Sequence, residues 1–158
     1  MTDTIIAQST PSGQSALALV RISGPLCSDI AEGALALPCP TPRKCYLSEY
    51  RSKERNEVLD QVMAIYFAEG KSFTGDATLE ISCHGNSLIV ERILQDLLVR
   101  GCRIAHPGEF SKRAFMAGKI DLTQAEAIAE LISARSDAEL KIANSNLKGS
   151  LSQSIKSL

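Results

Sequence analysis

Residues 77–101, ATLEISCHGNSLIVERILQDLLVRG, contain two successive hydrophobic patterns that decide the fold. In the first, apolar and polar residues alternate, so 77–83 is predicted to be a β-strand that leads into His84-Gly85-Asn86. In the second, apolar residues recur at helical spacing over 87–100, and Gly101 is a suitable helix stop. The apolar face of this helix comprises Leu88, Ile89, Ile93, Leu94, Leu97 and Leu98.

Upstream of this segment, the sequence predicts mostly strands. One helix is predicted over 28–37, with Ser28 as its N-cap. The last two strands flank a polar stretch and are expected to form a hairpin. Three upstream strands are predicted over 16–23, 44–50 and 58–67, and residues 4–9 form a short, mostly apolar run that ends at a turn.

Downstream, the pattern becomes mostly helical. A short strand over 102–105 precedes a helix over 109–117, which ends at Gly118. Helical spacing resumes with Asp121 or Thr123 as the cap. After a weak break near Ser136 and Asp137 it continues through Leu140, Ala143, Leu147, Leu151 and Ile155 to Leu158.

These patterns together predict an α+β domain over 1–119, with a mixed or antiparallel sheet and packed helices. The remaining residues, 120–158, are expected to be the start of a helical domain that is cut off. A chain of 158 residues with 44% hydrophobic residues can build a core of this kind. Because that helical segment would lack its partners, its leucines are expected to form an exposed apolar stripe.

Composition excludes several classes of function. The net charge of −1 gives no general attraction to nucleic acids, so the chain is not expected to supply a main phosphate-binding surface. The five cysteines form no C-x-x-C pair and no set with metal-ligand spacing, which indicates reduced thiols and no metal site. No signal peptide and no apolar run long enough to span a membrane is present. We therefore expect a cytoplasmic protein that does not contact membranes.

Gly70-Lys71-Ser72 matches the end of a Walker A phosphate loop. That motif requires a glycine five positions before its second glycine, and this position holds Ile65. A following helix is also required, whereas another strand is predicted here. The segment is therefore interpreted as a polar loop, and nucleotide hydrolysis by this route is not expected.

Three charged residues are candidates for ligand contacts, although each has an ordinary structural explanation. Glu80 lies in the middle of a strand, on an exposed sheet face or against a ligand that offers two parallel N–H groups. Arg21 closes an apolar strand, where it could pair with a neighbouring carboxylate or bind a carboxylate or phosphate. Lys119 follows a predicted helix C-terminus, where the helix dipole favours a cation.

The His84-Gly85-Asn86 segment lies where a strand leads into a helix. Backbone N–H groups at such a junction can bind an anion, and glycine permits close approach. His84 could act as a general base. A hydrogen-bonded structural histidine is favoured, because no nucleophile accompanies it at a suitable spacing.

Several blocks of the sequence share one order and spacing with a known family. The blocks are Asp3-Thr4-Ile5, Thr10-Pro11 with Gly13, Val20-Arg21-Ile22-Ser23-Gly24, Ser72-Phe73-Thr74-Gly75, Leu79-Glu80 with His84-Gly85, Pro107-Gly108-Glu109-Phe110-Ser111 with Arg113-Ala114-Phe115, and Gly118-Lys119 with Asp121-Leu122 and Gln124-Ala125-Glu126-Ala127. In this order and spacing they resemble the N-terminal part of the tRNA-modification GTPases of the MnmE/TrmE type. The similarity extends from about Asp3 to the end of the chain, and its most specific part is 107–115 followed by 119–127.

The resemblance implies a fold related to the folate-binding aminomethyltransferases. It also implies a homodimer that holds 5-formyltetrahydrofolate, or a related tetrahydrofolate, near the dimer interface. The family acts with an FAD-dependent partner subunit to install an aminomethyl or carboxymethylaminomethyl group on the wobble uridine of tRNA, which binds the full complex. GTP, Mg²⁺ and K⁺ would act only in a GTPase domain absent from this sequence.

Carried over residue by residue, the family's folate contacts fall on Arg21, Glu80 and Lys119. Possible supporting residues are His84, Gly85 and Arg113, and no catalytic residue is expected in this segment. The sequence departs from the family pattern near the expected pocket. The departures are Gln14-Ser15-Ala16 in place of a glycine-rich loop, Asp76-Ala77 in place of Glu-Asp, Asn86 in place of a second glycine, and Ala117 in place of asparagine.

Two other classes of function remain open at this stage. The first is a stand-alone folate-dependent aminomethyl- or formyltransferase, which would need His84 as its acid or base. The second is a purely structural dimer module whose polar residues are surface residues.

Overall fold

The structure, a computed structural model, describes residues 3–148 and contains six strands and five helices within that range. The predicted helical positions Leu151, Ile155 and Leu158 lie outside the described residues. The α+β fold class is confirmed. The elements are β1 Ile5–Gln8, β2 Ser15–Ser23, α1 Cys27–Leu35, β3 Cys45–Arg51, β4 Val58–Phe67, β5 Thr78–Gly85, α2 Ser87–Val99, β6 Arg103–Ile104, α3 Glu109–Met116, α4 Leu122–Ser133 and α5 Asp137–Leu147.

The chain divides into two compact units, one up to Pro107 and one from Gly108 onward. The first unit contains a mixed sheet with strand order β3-β4-β5-β2-β1-β6. All neighbouring strands are antiparallel except β1 and β6, which are parallel. The predicted hairpin is formed by β3 and β4. The domain boundary that the sequence predicts at residue 119 remains a prediction.

One face of the sheet is covered by α1 and α2 and forms the hydrophobic core. Alternate residues of the central strands point into it, because successive side chains of a strand face opposite sides. The strand residues in this core include Val20, Ile22, Leu79, Ile81 and Cys83, and the helices contribute Ile30, Leu35, Ile93 and Leu97. The alternation predicted for 77–83 is confirmed.

A buried polar network fastens α2 to the end of β3. Asp96 accepts hydrogen bonds from the Tyr50 hydroxyl at 2.8 Å, the Lys53 amide at 2.6 Å and Arg100 Nε at 2.6 Å. Arg100 also donates to the Arg51 carbonyl. The side chains of Asp96 and Arg100 are only 5% and 9% exposed. Each charge is thus compensated away from water.

Two details of the helix predictions are wrong. Ser28 does not cap α1: the N-cap is Leu26, and the Ser28 hydroxyl lies 3.2 Å from the Tyr66 hydroxyl. In α2, Leu88 is exposed, whereas the polar Asp96 is buried. The spacing of apolar residues does not predict that Asp96 is buried, because its partners Tyr50 and Lys53 lie far from it in the chain.

Within the described residues, the secondary structure of the second unit is helical. A left-handed Gly118 ends α3, with Lys119 N–H donating to Ala114 O and Gly118 N–H donating to Phe115 O. These two bonds form a Schellman motif, which satisfies carbonyls at the helix end. Asp121 and Gln124 form a capping box at the start of α4, so of the two predicted caps, Asp121 and Thr123, the structure has Asp121. Ser136 caps α5, at the predicted break.

Candidate functional site

Arg21 and Glu80 face each other across neighbouring antiparallel strands. They are register partners in β2 and β5, and both lie on the sheet face opposite the core. Arg21 Nε and Nη2 each lie 2.8 Å from the same carboxylate oxygen, Glu80 Oε1. Their side chains are 28% and 23% exposed, so the pair is half-buried and partly accessible to solvent. The structure thus brings together two of the three predicted folate contacts.

The second oxygen of Glu80 is not used by Arg21. Among residues 3–148, no hydrogen-bond donor to Oε2 is found. A carboxylate oxygen can accept two hydrogen bonds and can therefore receive an N–H group from a ligand. Arg21 meanwhile fixes the orientation of the carboxylate.

A small cavity adjoins the Arg21–Glu80 pair. Its volume is about 120 Å³, and it is lined by both members of the pair, by Phe67 of β4 and Thr78 of β5, and by residues 71–74. Residues 71–74 belong to the connection between β4 and β5, which we call the 68–77 loop. Because ligand pockets for drug-sized molecules have volumes of about 300–1,000 Å³, this cavity can hold only one end of such a molecule.

Buried hydroxyl groups hold the 68–77 loop to the sheet. Thr74 Oγ1 lies 2.7 Å from Ser23 Oγ and 3.3 Å from Thr78 Oγ1, and all three residues are at most 3% exposed. We call these three residues the hydroxyl cluster. Ser23 and Thr78 are register partners at the ends of β2 and β5, next to the Arg21–Glu80 pair.

The same loop is also braced by its own backbone. Gly70 N–H donates to Gly75 O at 2.7 Å, and both glycines have positive φ angles, which other residues rarely adopt. Ser72 Oγ accepts the Gly75 N–H and donates to Asp76 O. The loop leads directly into β5 and not into a helix, which confirms that Gly70-Lys71-Ser72 is no Walker loop.

His84 is held by a carboxylate on the neighbouring strand. Asp60 Oδ1 lies 2.8 Å from His84 Nδ1, and Asp60 Oδ2 accepts the His84 backbone N–H at 2.8 Å. The Asp60 side chain is 8% exposed and that of His84 65%. The hydrogen bond that the favoured interpretation of His84 requires is therefore present, and the role of His84 stays a prediction.

Gly85 and Asn86 have structural explanations of their own. A Cβ at Gly85 would overlap the Oγ and the carbonyl oxygen of Ser15, so glycine is required by the close approach of β2. A β-bulge in β2 lies at this point. Asn86 is the N-cap of α2, and its side chain accepts the Leu88 N–H at 2.9 Å. The departure from the family pattern at Asn86 thus provides a helix cap.

Lys119 and Arg113 lie in the second unit. Lys119 follows the Schellman glycine, so its backbone ends α3. Arg113 is buried, and its Nη2 lies 3.4 Å from Glu109 Oε1 one helical turn earlier. The assignment of Lys119 to a folate site and the supporting role of Arg113 remain predictions.

The sheet face that carries Arg21 and Glu80 also carries exposed apolar side chains. Leu17 and Leu47 are more than 60% exposed, and Met63 is 43% exposed. Leu47 and Met63 are register partners, and Met63 is in turn paired with Ser82 of β5. We call this surface the open face. It lies beside the candidate site.

The cysteines divide into buried and exposed thiols. Burial raises the pKa of the Cys27 thiol to about 12 and the pKa of each of Cys83 and Cys102 to about 11. Cys39 and Cys45 are exposed. Within the described range, no three His, Cys, Asp or Glu residues are grouped as a metal site would need. The helices described there include none that is both long and apolar enough to cross a membrane.

Comparison with known proteins places this architecture in a family. The sequence profile of the family described as "GTP-binding protein TrmE N-terminus" matches residues 4–119. The chain belongs to this family. The TrmE N-terminus match covers both Arg21 and Glu80 and ends at Lys119.

Relatives of known name agree with the TrmE assignment. A protein of Opitutus terrae named tRNA modification GTPase MnmE is 49% identical over 154 residues, which are 98% of this chain and 34% of the relative. Proteins of the same name from Thermotoga petrophila and Bdellovibrio bacteriovorus are 43% and 42% identical over 99% of this chain, covering 34% and 33% of their own lengths. The chain thus spans about a third of the length of these relatives.

Several residues of the site were not identified from the sequence. Phe73 and Thr74 belong to a block that carried the resemblance, but no role could be given to either residue. Asp60, the partner of His84, lies in a different strand. A polar residue in a strand with alternating burial is a weak signal, and only the sheet register shows which partner it meets.

Proposed function

We propose that this chain is the folate-binding and dimerisation module of a tRNA-modification GTPase. The observation that carries the proposal is the Arg21–Glu80 pair, with one carboxylate oxygen available beside a cavity on the open face. The names of the relatives support the parent function. In this proposal the segment binds the folate cofactor and contributes no catalytic residue of its own.

The residues at the cavity fit one end of a tetrahydrofolate. The amino-pyrimidinone edge of a pterin offers adjacent N–H groups, and a carboxylate such as that of Glu80 is their natural acceptor. Arg21 holds that carboxylate in place. When bound, the folate would supply a one-carbon unit. Lys119, carried over from the family, is proposed as a further folate contact.

A second copy of the chain would complete the site. The cavity of about 120 Å³ is too small for a whole folate, so further walls are needed. The apolar side chains of the open face, Leu17, Leu47 and Met63, provide the surface on which such a copy would pack.

The wider setting follows from the parent function. Installation of the aminomethyl or carboxymethylaminomethyl group on wobble uridine would require the GTPase domain, an FAD-dependent partner subunit and tRNA. GTP, Mg²⁺ and K⁺ would bind only outside this segment. The cytoplasm, where tRNA is modified, is the proposed location.

Folate binding is tested by calorimetric titration of the purified chain with 5-formyltetrahydrofolate. We expect Glu80→Ala and Arg21→Ala to weaken binding at least about tenfold, because each removes a charge-assisted hydrogen-bonding group. Lys119→Ala should weaken it less, since a single exposed cation contributes less. The control is Glu49→Ala, which removes an exposed carboxylate from the edge strand. Equal affinity in wild type and all three site variants would contradict the assignment.

Dimerisation is tested by sedimentation of wild type, Leu47→Glu and Val99→Glu. Both replaced side chains are exposed, but only Leu47 belongs to the open face, whereas Val99 is in α2. A dimer that is lost only in Leu47→Glu supports the proposed interface. A monomeric wild type at all concentrations, or an equal effect of both variants, would contradict it.

The stand-alone transferase makes a different prediction. Turnover of a folate one-carbon donor by this chain, abolished in His84→Ala, would favour that class over a binding module. Folate binding without turnover, unchanged in His84→Ala, is the result that the proposed function requires.

A further inference from the structure

Phe73 is an aromatic residue in an unusual position. It lies in the 68–77 loop, and 40% of its surface is exposed. Aromatic residues make up only 4% of the chain. It lines the same cavity as Arg21 and Glu80. A large apolar ring left half-exposed beside a half-buried ion pair suggests a contact surface more than a core position.

We propose that Phe73 contacts the face of the pterin ring and that Thr74 is the positioning residue that holds it there. This inference rests on the proposed folate function and assigns the ring end of folate to this cavity. Glu80 Oε2 would take the polar edge of the ring, while Phe73 takes its flat face. The two together select a planar nitrogen heterocycle over an aliphatic or purely anionic ligand.

The hydroxyl cluster explains how the Phe73 ring is held. Thr74 is the next residue in the chain, and its hydroxyl is fixed by Ser23 and Thr78 at 2.7 and 3.3 Å. The backbone bond from Gly70 to Gly75 closes the loop around Phe73. Arg43 Nη2 adds a bond to Lys71 O at 3.2 Å. A loop braced on several sides loses little conformational freedom when a ligand binds, and preorganisation of this kind increases affinity.

The size of the cavity supports the assignment of the ring rather than the tail. A volume of about 120 Å³ lined by Phe73 and Phe67 suits one compact ring system. The p-aminobenzoylglutamate tail is long and anionic, and it would have to lie outside. The Arg21 side chain does not offer it a free cation, because Glu80 neutralises the guanidinium.

The first test uses the absence of tryptophan from the chain. Phe73→Trp places a single fluorophore in the loop, whereas Val99→Trp places one at a similarly exposed position on α2. Titration with 5-formyltetrahydrofolate should quench the tryptophan fluorescence of Phe73→Trp to a plateau, after correction for the light that the ligand absorbs. The midpoint of the quenching should agree with the midpoint of binding measured by calorimetry. Quenching of both variants to the same extent, or of neither while calorimetry shows binding, would overturn the proposal.

The second test separates the two ends of folate. Phe73→Ala should weaken binding of pterin-6-carboxylate about tenfold, the effect typical of a lost aromatic stacking contact. Phe73→Tyr keeps the ring and should bind like wild type. Binding of p-aminobenzoylglutamate should not respond to either change. A Phe73→Ala effect confined to p-aminobenzoylglutamate would assign the tail to the cavity and overturn the inference.

The third test concerns Thr74. Thr74→Val has nearly the same shape without the hydroxyl, and Thr74→Ser restores the hydroxyl without the methyl group. We expect Thr74→Val to weaken pterin binding several-fold and Thr74→Ser to restore it. Thermal melts show whether Thr74→Val has a general folding defect. If it does, Ser23→Ala removes the hydrogen bond between Ser23 and Thr74 from the other side. Unchanged binding in both Thr74→Val and Ser23→Ala would exclude the positioning role.

These results separate the inference from the proposed function. If wild type binds no folate, the proposed function itself fails. If wild type binds folate and Glu80→Ala does not, but Phe73→Ala binds normally, only the inference about Phe73 fails.

Discussion

The two faces of the central sheet are built by the same strands but are put to opposite uses. On the covered face, Ile81 and Leu79 pack beneath helices and are at most 1% exposed. On the open face, their neighbour Glu80 shares an ion pair with Arg21, and apolar side chains such as Leu47 are exposed. The period of two along a strand places core and candidate site on adjacent residues.

The ion pairs of the first unit show the same contrast. Asp96 is compensated by three donors that fasten one element to another, so both of its oxygens are used inside the protein. Glu80 is held by Arg21 through one oxygen, and its side chain lines the cavity. The covered face therefore uses charge for cohesion, whereas the open face keeps part of its hydrogen-bonding capacity for a ligand.

The largest effect is expected from Asp96→Ala. This change leaves the Arg100 guanidinium and the Tyr50 hydroxyl buried without their acceptor, and breaking a buried pair costs about 3–5 kcal/mol. Urea denaturation should show this loss in the free energy of unfolding. The matched control is Glu49→Ala, whose exposed pair with Arg51 should contribute less than about 1 kcal/mol. A similar loss in the free energy of unfolding in both variants would show that the two faces do not differ in how they use charge.

A loss of about 3 kcal/mol is expected from Ile81→Ala. Its side chain is fully buried between sheet and helices, and truncation leaves a cavity. The corresponding change on the open face, Leu47→Ala, should cost less than about 0.5 kcal/mol in the monomer. Chemical denaturation at low protein concentration measures both. A costly Leu47→Ala under these conditions would mean that the open face is part of the monomer's core.

A smaller loss is expected when the pH is raised. Burial raises the pKa of Cys27 from 9.0 to about 12, so its stabilising contribution is complete below pH 9 and is lost as the pH rises toward 12. Between pH 8 and pH 10 this thiol alone should remove about 1.4 kcal/mol from the free energy of unfolding. Burial raises the pKa of Tyr50 as well, which extends the decline.

Thermal melts of wild type and Cys27→Ala across this pH range measure the contribution of the thiol. The variant should show a shallower decline. Identical slopes for the two proteins would exclude Cys27 as a source of the pH dependence.

The smallest stability effect is expected from Glu80→Gln. A half-exposed pair contributes no more than about 1 kcal/mol, so the melting temperature should change little. The same variant should lose folate affinity at least about tenfold. A large loss of stability without a loss of affinity would assign Glu80 to the fold and not to a site.

Most of the fold could be predicted from the sequence because its signals are local. The bounds of β4 agree with the predicted 58–67, and the predicted glycine stops follow α2 and α3. The capping box of α4 lies within four consecutive residues, from Asp121 to Gln124, so it can be recognised from the local sequence. The N-cap of α1 could not be predicted in this way, since Ser28 uses its hydroxyl on Tyr66, a residue far away in the chain.

The candidate site could be predicted only in part. Arg21 and Glu80 are separate candidates in the sequence, and only the register of β2 with β5 shows that they form a pair. The same limit applies to Asp60 with His84 and to the hydroxyl cluster. Each of these groups joins residues from different strands or from a strand and a loop, and no pattern within one element specifies which residue lies opposite.

The clamp of Arg21 on a single oxygen of Glu80 also has a kinetic consequence. A ligand that hydrogen-bonds to the other oxygen does not have to break the ion pair first, so entry is not delayed by an internal competitor. The pair carries no net charge, and an uncharged heterocycle approaching it experiences little long-range force. Its association rate should therefore depend only weakly on ionic strength, in contrast to ligands that are drawn in by an unpaired cation.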